Sequence, residues 1–280
     1  MMRFLLGLIG SGIAASRSPA LHEAEGRACG LNLLYQLLDL DLPPLAGRPL
    51  DDILGSAEMM GFAGVNITHP SKQAVIPFLD ELSPDAAAIG AVNTVVFSAG
   101  KRVGHNTDCY GFAESFRRGL PGASLDHVVL LGAGGAGSAV AHAAVQCGVK
   151  ELTIFDQVPE RADLLATKMN DRRVTVGIGI AETILSARGL IHATPTGMAS
   201  HPGIALDPAL LRPDMWVADI VYFPLETELL RRARQRGCRT LDGGGMAVFQ
   251  AARAFELFTG VAPDVERMLA HFSKMTMASA

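Results

Sequence analysis

The stretch Val128–Gly148, VVLLGAGGAGSAVAHAAVQCG, decides the fold. Its apolar start predicts a buried strand, its glycines predict a sharp turn, and its alanine-rich end predicts a helix opening near Ser138. The glycine spacing matches G-x-G-x-x-G through Gly132, Gly134 and Gly137. A turn without side chains lets a pyrophosphate approach the backbone amides at the positive end of a helix. The strand-to-helix context favours a dinucleotide site over a turn with no ligand.

Composition limits the class of protein. The chain has 280 residues, 49% of them hydrophobic, and a formal net charge of -4. This length suits two domains, and the scattered basic residues argue against binding to nucleic acid or to a membrane surface. The four cysteines lie far apart and form no C-x-x-C pair. They are typical of a reducing compartment and argue against a disulfide framework.

The N-terminal segment predicts a strand followed by a helix. Phe4–Ile9 is apolar throughout, which favours a buried parallel strand over a signal peptide. Ser18 precedes Pro19 and is expected to cap the next helix, whereas Ser16 has no such local role. Two hydroxyls two positions apart before a helix also suit a small anion such as a carboxylate, so both interpretations stay open.

Polar residues interrupt the next apolar segments. Asn66 lies within the predicted strand Phe62–Ile67, and Asn93 stands beside a β-branched run. A buried amide is unfavourable unless its partners are supplied, by a polar ligand or by a neighbouring turn. Pro70 is expected to start a helix with Lys72 in its first turn, where the dipole opposes a cation. Lys72 is therefore either a proton-exchanging lysine in a cleft or a solvated surface lysine.

Two acidic residues follow at the starts or ends of predicted elements. Asp108 is either the N-cap of a helix that ends at Gly119 or the partner of Lys72 in a proton relay. Asp156 ends the strand Leu152–Phe155, near the distance at which an acidic residue binds the adenosine ribose. Its charge would also repel the 2′-phosphate of NADP.

Strands and helices alternate through the second half of the chain, which predicts a doubly wound parallel sheet. A second glycine turn, Gly243–Met246, leads into a helix that carries Gln250 among apolar residues. The eight histidines have no metal-ligand spacing, and His22, His69, His105 and His192 are expected to make local hydrogen bonds. We therefore expect no metal site.

Seven motifs in their order resemble the shikimate dehydrogenase family over nearly the whole chain. They are SRSPALH (16–22), NITHPSK (66–72), GAVNT (90–94), NTD (106–108), GAGGAG (132–137), ATPTGM (193–198) and GGGMAVFQAA (243–252). The resemblance implies an α/β fold in which an N-terminal α/β substrate domain is joined to a Rossmann-type domain with a doubly wound parallel sheet. C-terminal helices would pack back on the first domain, with the site in the cleft. The expected domains are residues 1–107 with 246–280 for substrate and catalysis, and 108–245 for NAD.

The resemblance also implies the site residues. Lys72 and Asp108 would be the catalytic pair for hydride transfer between a ring C–H and nicotinamide, with Lys72 handling the hydroxyl proton. The substrate-binding residues would be Ser16 and Ser18 for a carboxylate, then Asn66, Thr68, Asn93 and Gln250 for ring hydroxyls, and Tyr222. The cofactor-binding residues would be Gly132, Ala133, Gly134, Gly135, Ala136, Gly137, Asp156, Ala193, Thr194, Pro195, Val221, Gly245 and Met246.

Three positions depart from the commonest biosynthetic pattern of the family. Phe155–Gln157 stands where many NADP-dependent members carry Asn-Arg-Thr, Glu23 replaces a frequent Asn, and His192 replaces the usual Asn. Glu23, Asp156 and the run VYFPLETELL (221–230) resemble NAD-dependent quinate/shikimate dehydrogenases, whereas Ser18 matches members that prefer shikimate. We expect a cytoplasmic, NAD-preferring dehydrogenase of shikimate or quinate, monomeric or homodimeric, with a small hydroxy carboxylic acid as substrate. The alternatives are an aminoshikimate dehydrogenase and an inactive NAD-binding regulatory protein.

Overall fold

The computed structural model describes residues 2–277, and within them the chain forms two compact units. Unit 1 comprises the residues up to Thr107 and those from Val248 onward, and unit 2 comprises Asp108–Ala247. The predicted second boundary followed residue 245, whereas the observed one follows Ala247. Helix α9 (Gly244–Thr259) carries the chain across it.

Unit 1 contains a six-stranded mixed sheet in the order β2-β1-β3-β5-β6-β4. Its strands are β1 (Arg3–Gly10), β2 (Asn32–Asp39), β3 (Gly64–Ile67), β4 (Glu81–Leu82), β5 (Thr94–Ser98) and β6 (Lys101–His105). Strand β1 pairs in parallel with β2 and β3, but β5 is antiparallel to both β3 and β6. The sequence analysis identified neither β4, which has only two residues, nor β6, which begins with two basic residues and lacks an apolar run.

Helices cover both faces of this sheet. They are α1 (Ser18–Ala28), α2 (Leu50–Met59), α3 (Pro84–Ile89), the second part of α9, and α10 (Val265–Met277). Alternation along β1 places Leu5 and Ile9 in the cluster that holds Leu54 of α2, while Leu6 packs with Phe255 of α9. A strand that is buried on both faces needs apolar residues at successive positions. The packing confirms that β1 is a core strand and that C-terminal helices return to the first unit.

The predicted helix after Pro70 is wrong. Turns connect residues 69–75, and only a short 3₁₀ helix, Ile76–Phe78, follows. An α-helix would need residue 77 to donate to the carbonyl of Gln73, but Pro77 has no N–H. The carbonyl of Lys72 instead accepts from the N–H of Val92 at 2.8 Å. The expected action of a helix dipole on Lys72 therefore has no basis.

A buried carboxylate joins the first and last helices of unit 1. Glu25 of α1 is 2% exposed and accepts hydrogen bonds from Arg267 Nε and Nη2 of α10, at 2.9 and 2.6 Å, and from the N–H of Asp264 at 2.7 Å. Burial raises the pKa of Glu25, but the hydrogen bonds from Arg267 and Asp264 outweigh it and hold the pKa below its ordinary value of 4.5. The folded state therefore stabilises the charged form of Glu25 relative to its protonated form.

We expect Glu25→Gln to lower the free energy of unfolding by about 2 kcal/mol at neutral pH, because hydrogen bonds to a charged group are lost. Since the folded-state pKa is lowered, this contribution is present above pH 4.5 and disappears as pH falls through the lowered value. Urea unfolding across the pH range measures the difference. Glu256→Gln, in the exposed pair with Arg253, serves as the control and should change stability by less than about 0.5 kcal/mol. An effect of Glu25→Gln that persists unchanged at pH values where Glu25 is protonated would contradict this account.

Unit 2 contains a six-stranded, fully parallel sheet in the order β12-β11-β10-β7-β8-β9. Its strands are β7 (Val128–Leu131), β8 (Leu152–Phe155), β9 (Val174–Val176), β10 (Gly189–His192), β11 (Trp216–Asp219) and β12 (Arg239–Leu241). Its helices are α4 (Asp108–Gly119), α5 (Gly135–Gln146), α6 (Pro159–Met169), α7 (Ile180–Ile184), α8 (Glu228–Gln235) and the start of α9. From β7 the strand order runs outward in both directions, so a topological switch point lies between β7 and β10. This confirms the predicted doubly wound sheet.

Candidate active site

Buried polar side chains converge at one edge of the unit 1 sheet, where β1, β3 and β6 end and β5 begins. The pairing register places Asn66 of β3 opposite Thr94 of β5, and Thr94 opposite His105 of β6. Asn66, Thr94 and the nearby Asn93 are 8%, 0% and 3% exposed. Polar groups in such positions are normally hydrogen-bonded, so their partners define the site.

The amide of Asn66 is held from two sides. Its Oδ1 accepts the hydroxyl proton of Tyr35 at 2.7 Å, and its Nδ2 donates to the carbonyl of Asn93 at 3.2 Å and to Thr94 Oγ1 at 3.0 Å. Tyr35 lies at a buried position on β2 and stacks on the ring of His22, with centroids 4.8 Å apart. Burial lowers the pKa of His22 to about 3, so the stacked ring is neutral at physiological pH. The Asn66 amide is therefore fixed in orientation before any ligand binds.

A second set of hydrogen bonds joins Asn93 to Gln250 through Thr107. Asn93 Nδ2 donates to Thr107 Oγ1 at 2.8 Å, and the N–H of Thr107 donates to Asn93 Oδ1 at 2.8 Å. The Thr107 hydroxyl lies 3.5 Å from Gln250 Oε1 of α9, at the outer limit of a hydrogen bond. The structure thus brings together three of the predicted substrate residues, Asn66, Asn93 and Gln250.

Lys72 and Thr68 lie on the turns that follow β3. Lys72 is half-buried, and its carbonyl hydrogen bond with Val92 holds its backbone one residue away from Asn93. The N–H of Thr68 donates to the carbonyl of Ile9 at 2.9 Å. A Cβ atom on Gly10 would lie 2.2 Å from Thr68 Cγ2, so only glycine lets Thr68 pack against the end of β1. The backbones of both residues therefore lie at the same end of the sheet as the amides.

Ser16 and Ser18 hydrogen-bond to each other. Helix α1 begins at Ser18, with Arg17 at the cap position, so the prediction that Ser18 caps the helix is wrong. Ser16 Oγ instead accepts from the N–H of Ser18 at 3.3 Å and lies 3.3 Å from Ser18 Oγ. Ser16 therefore has the local role that the sequence analysis denied it. The two half-buried hydroxyls form a pair at a helix start, which suits a carboxylate.

The glycine turn of unit 2 requires glycine for steric reasons. Gly132 has φ 104°, and a Cβ atom there would lie 2.6 Å from the carbonyl oxygen of Ala193. A Cβ atom on Gly137 would lie 2.0 Å from the carbonyl oxygen of Gly132. Helix α5 begins at Gly135, three residues before the predicted start at Ser138, because Gly135 and Ala136 already adopt the first helical turn. The N-terminal amides of α5 thus open directly from the turn, as binding of a pyrophosphate requires.

Asp156 lies directly beside this turn. Its Oδ2 accepts from the N–H of Ala133 at 2.7 Å, and its Oδ1 accepts from the N–H of Val158 at 2.9 Å. The carboxylate is half-buried, and each oxygen has further acceptor capacity. Asp156 can therefore accept hydrogen bonds from the hydroxyls of a ribose while it holds the glycine turn in place.

The remaining predicted cofactor residues lie on the other side of the switch point. Ala193, Thr194 and Pro195 form the loop after β10, and Ala193 packs against Gly132. Val221 and Met246 are buried at 5% and 8% exposure. A Cβ atom on Gly245 would lie 2.4 Å from Ser115 Oγ of α4, so glycine is required there as well.

Within unit 2, the charge of Asp108 affects the pKa of Tyr222. Asp108 is the buried first residue of α4, rather than a cap before it, and Tyr222 follows β11. Desolvation of the phenol, and then the negative charge of Asp108, raise the pKa of Tyr222, although 44% of the residue is exposed. The pairing of Asp108 with Lys72 stays a prediction.

Several supporting residues were missed by the sequence analysis. Tyr35, Thr94 and Thr107 orient the amides, and Asp219 binds His192. The sequence carries no local signal that Tyr35 contacts Asn66 or that Asp219 contacts His192, because these partners lie on separate strands. Of the four histidines expected to make local hydrogen bonds, His22 stacks instead, and its Nδ1 has no hydrogen-bond partner among residues 2–277. Within the same residues there is no group of three or more metal-ligating side chains, and no helix long and apolar enough to cross a bilayer.

Comparison with known proteins identifies the family. A profile described as the shikimate dehydrogenase substrate binding domain matches residues 8–95, and one described as the shikimate 5′-dehydrogenase C-terminal domain matches residues 243–271. A shikimate dehydrogenase (NADP+) from Streptomyces avermitilis is 54% identical over 99% of this chain and 97% of its own length. The chain belongs to the shikimate dehydrogenase family.

Two further relatives bear on the cofactor. A quinate/shikimate dehydrogenase (NAD+) from Corynebacterium efficiens is 52% identical over 96% of this chain and 97% of its own length. The solved structure of quinate dehydrogenase from Corynebacterium glutamicum in complex with NAD has a TM-score of 0.93 and 49% identity. It covers 98% of this chain, which in turn covers all of that one. Among relatives that are about half identical to this chain, some are thus named for NADP+ and others for NAD+.

Proposed function

We propose that this chain is an NAD-preferring dehydrogenase that oxidises a ring hydroxyl of shikimate or quinate and reduces the corresponding ketone. The observation that carries the proposal is a hydrogen-bonded set of three amides, with Lys72 on the turns that follow β3, in a member of this family. Asn66 and Asn93 are buried and Gln250 is half-buried. Amides held in fixed orientation suit a ring bearing several hydroxyls, because each hydroxyl both donates and accepts a hydrogen bond.

The substrate would be bound at both of its polar ends. The hydroxyl pair of Ser16 and Ser18 would hold the carboxylate, and Asn66, Thr68, Asn93 and Gln250 would hold the ring hydroxyls. Fixed donors and acceptors reduce the reorganisation that the reaction requires and so hold the reacting hydroxyl in place. Tyr222 would contribute a further hydroxyl contact.

Unit 2 fits a nicotinamide dinucleotide. Gly132 and Gly137 permit the close backbone packing of the turn from which α5 begins, so the amides at the start of α5 would bind a pyrophosphate. Asp156 would accept hydrogen bonds from the adenosine ribose. The same carboxylate would repel the 2′-phosphate of NADP, which supports a preference for NAD. A bound nicotinamide dinucleotide would supply the acceptor for the hydride that leaves the ring carbon of the substrate.

Lys72 would move the proton of the reaction. It would take the hydroxyl proton as the C–H bond breaks and return it in the reverse direction. Asp108 would orient the Lys72 amine and balance its charge. Neither role requires a metal ion, because the hydroxyl is activated by proton removal alone.

The test is the rate of NADH formation from shikimate and from quinate, with NAD+ and NADP+ compared at equal concentrations. We expect turnover of at least one of these acids with NAD+, and a clearly lower kcat/KM with NADP+. Turnover of aminoshikimate but of neither acid would assign the chain to that substrate instead. Binding of NAD without turnover of any of the three would show a regulatory binding protein and refute the proposed activity.

We further propose a cytoplasmic location and a monomeric or homodimeric state. The four cysteines are free thiols, two of them buried, which supports a reducing compartment. Analytical ultracentrifugation of the purified protein measures the oligomeric state.

A further inference from the structure

A buried chain of hydrogen bonds links the ends of β10 and β11 in unit 2. His192 and Asp219 are each 1% exposed, and His192 Nδ1 lies 2.9 Å from Asp219 Oδ1. On its other side, His192 Nε2 hydrogen-bonds to Thr194 Oγ1. Asp219 also accepts from the N–H of Val221 at 3.0 Å and from the Thr227 hydroxyl at 2.7 Å.

The hydrogen bonds in this chain are mutually consistent in direction. The N–H of Thr196 donates to Thr194 Oγ1 at 3.3 Å, which leaves the Thr194 hydroxyl proton to bond His192 Nε2. The proton on Nδ1 then points to the Asp219 carboxylate. Assigned in this way from the network, every polar group has a partner, and such fully satisfied buried networks are rigid.

The position of this hydrogen-bond network in the sheet of unit 2 relates it to the proposed cofactor site. Strand order reverses between β7 and β10, and ligands of doubly wound sheets bind at the carboxyl ends of the strands at this point. Asp156 follows β8, so the adenosine half of a dinucleotide belongs on that side. The nicotinamide half must therefore extend toward the loops after β10 and β11, which are the two loops that His192 and Asp219 hold.

We propose that His192 is a positioning residue for the nicotinamide half of the cofactor. Its ring connects the loop Ala193–Pro195 to Asp219, and through Asp219 to Val221. This inference rests on the proposed binding of a nicotinamide dinucleotide by unit 2, and it does not depend on which hydroxy acid is the substrate.

The experiment compares the affinities of NAD and ADP-ribose, which share the adenosine and pyrophosphate but differ in the nicotinamide. Calorimetry on the full chain gives both dissociation constants without turnover. We expect His192→Leu to raise the Kd for NAD about tenfold and to leave the Kd for ADP-ribose within about twofold. His192→Asn, which keeps a donor for Asp219, should recover most of the affinity for NAD. With substrate present, kcat should fall in His192→Leu while the KM for the hydroxy acid stays the same.

Thr194→Val tests the same link from the loop side. It removes only the hydroxyl that bonds His192, so it should shift the NAD to ADP-ribose ratio in the same direction even if His192→Leu fails to fold. The matched control is His127→Leu, because His127 also bridges two hydroxyls, Ser186 Oγ and Thr153 Oγ1, each at 3.0 Å, near the amino end of β7. An unchanged ratio in both test variants, or an equal change in the control, would overturn the proposal. Failure of the wild-type chain to bind either nicotinamide dinucleotide would instead refute the proposed function.

Discussion

We expect the replacement of Lys72 with methionine to lower kcat for oxidation of the hydroxy acid about a thousandfold, because general acid–base catalysis contributes about 10²–10⁴ to the rate. Methionine keeps most of the length and apolar volume of the lysine side chain but removes the amine. The turn that carries Lys72 is held through its backbone, by the hydrogen bond from Val92, and this bond survives the substitution. Stopped-flow or steady-state NADH absorbance measures the loss.

Binding measurements separate this catalytic effect from misfolding. Lys72→Met should still bind shikimate or quinate, because the buried amides of Asn66 and Asn93 are held by partners other than the Lys72 amine. Lys101→Met is the control: Lys101 lies at the opposite end of β6, is paired with Glu81, and is well exposed. If Lys72→Met retains more than about a tenth of wild-type kcat, proton transfer by Lys72 is ruled out as the main contribution.

We expect the replacement of Asp156 with asparagine to raise the ratio of kcat/KM for NADP+ to that for NAD+ by about a hundredfold. A unit charge about 4 Å from a phosphate charge is unfavourable by about 4 kcal/mol at an effective dielectric of 20, which is an upper limit of about a thousandfold before screening by salt. Asparagine keeps an oxygen that can accept from Ala133 or Val158 but loses the charge. The turnover with NAD+ should therefore also fall somewhat, because the ribose hydroxyls lose a charged acceptor.

The same substitution elsewhere on the unit provides the control. Asp163→Asn changes the net charge equally, at an exposed position on α6, and should leave the ratio unchanged. The relatives named for NADP+ and for NAD+ are about equally similar to this chain, so the cofactor preference has to be measured on this protein. Strong preference of the wild-type chain for NADP+ would contradict the charge argument at Asp156.

The structure of unit 2 agreed closely with the prediction from local sequence. Strand β8 has the predicted bounds, because a buried parallel strand reads as a short, continuous apolar run. The glycine turn was recognised because its spacing reflects steric demands, which the structure shows at Gly132 and Gly137. The helix start was misplaced by three residues, since glycine and alanine carry little signal for where a helix begins.

The structure of unit 1 was harder to predict. Its helix after Pro70 does not exist, its strand β5 is antiparallel to both neighbours, and Ser18 is not a cap. In the first two cases the partner is distant in sequence: Val92 bonds the Lys72 carbonyl, and β3 pairs with β5. Ser18 instead bonds Ser16, two residues away. The residues Asn66 and Asn93 stood out as polar interruptions, but Tyr35 and Thr107, which orient them, did not.

The sequence alone determined the strand–helix alternation, the glycine turn with Asp156 after it, and the set of motif residues, because periodicity, steric restriction and spacing are local properties. Only the tertiary structure decided how those residues act. It showed that Asp156 holds the backbone of the turn it was predicted to accompany, that Asn66, Asn93 and Gln250 form one hydrogen-bonded set, and that His192 joins two loops through Asp219. Hydrogen-bond partners on different strands depend on register and sheet order, and neither is encoded in any short stretch of the chain.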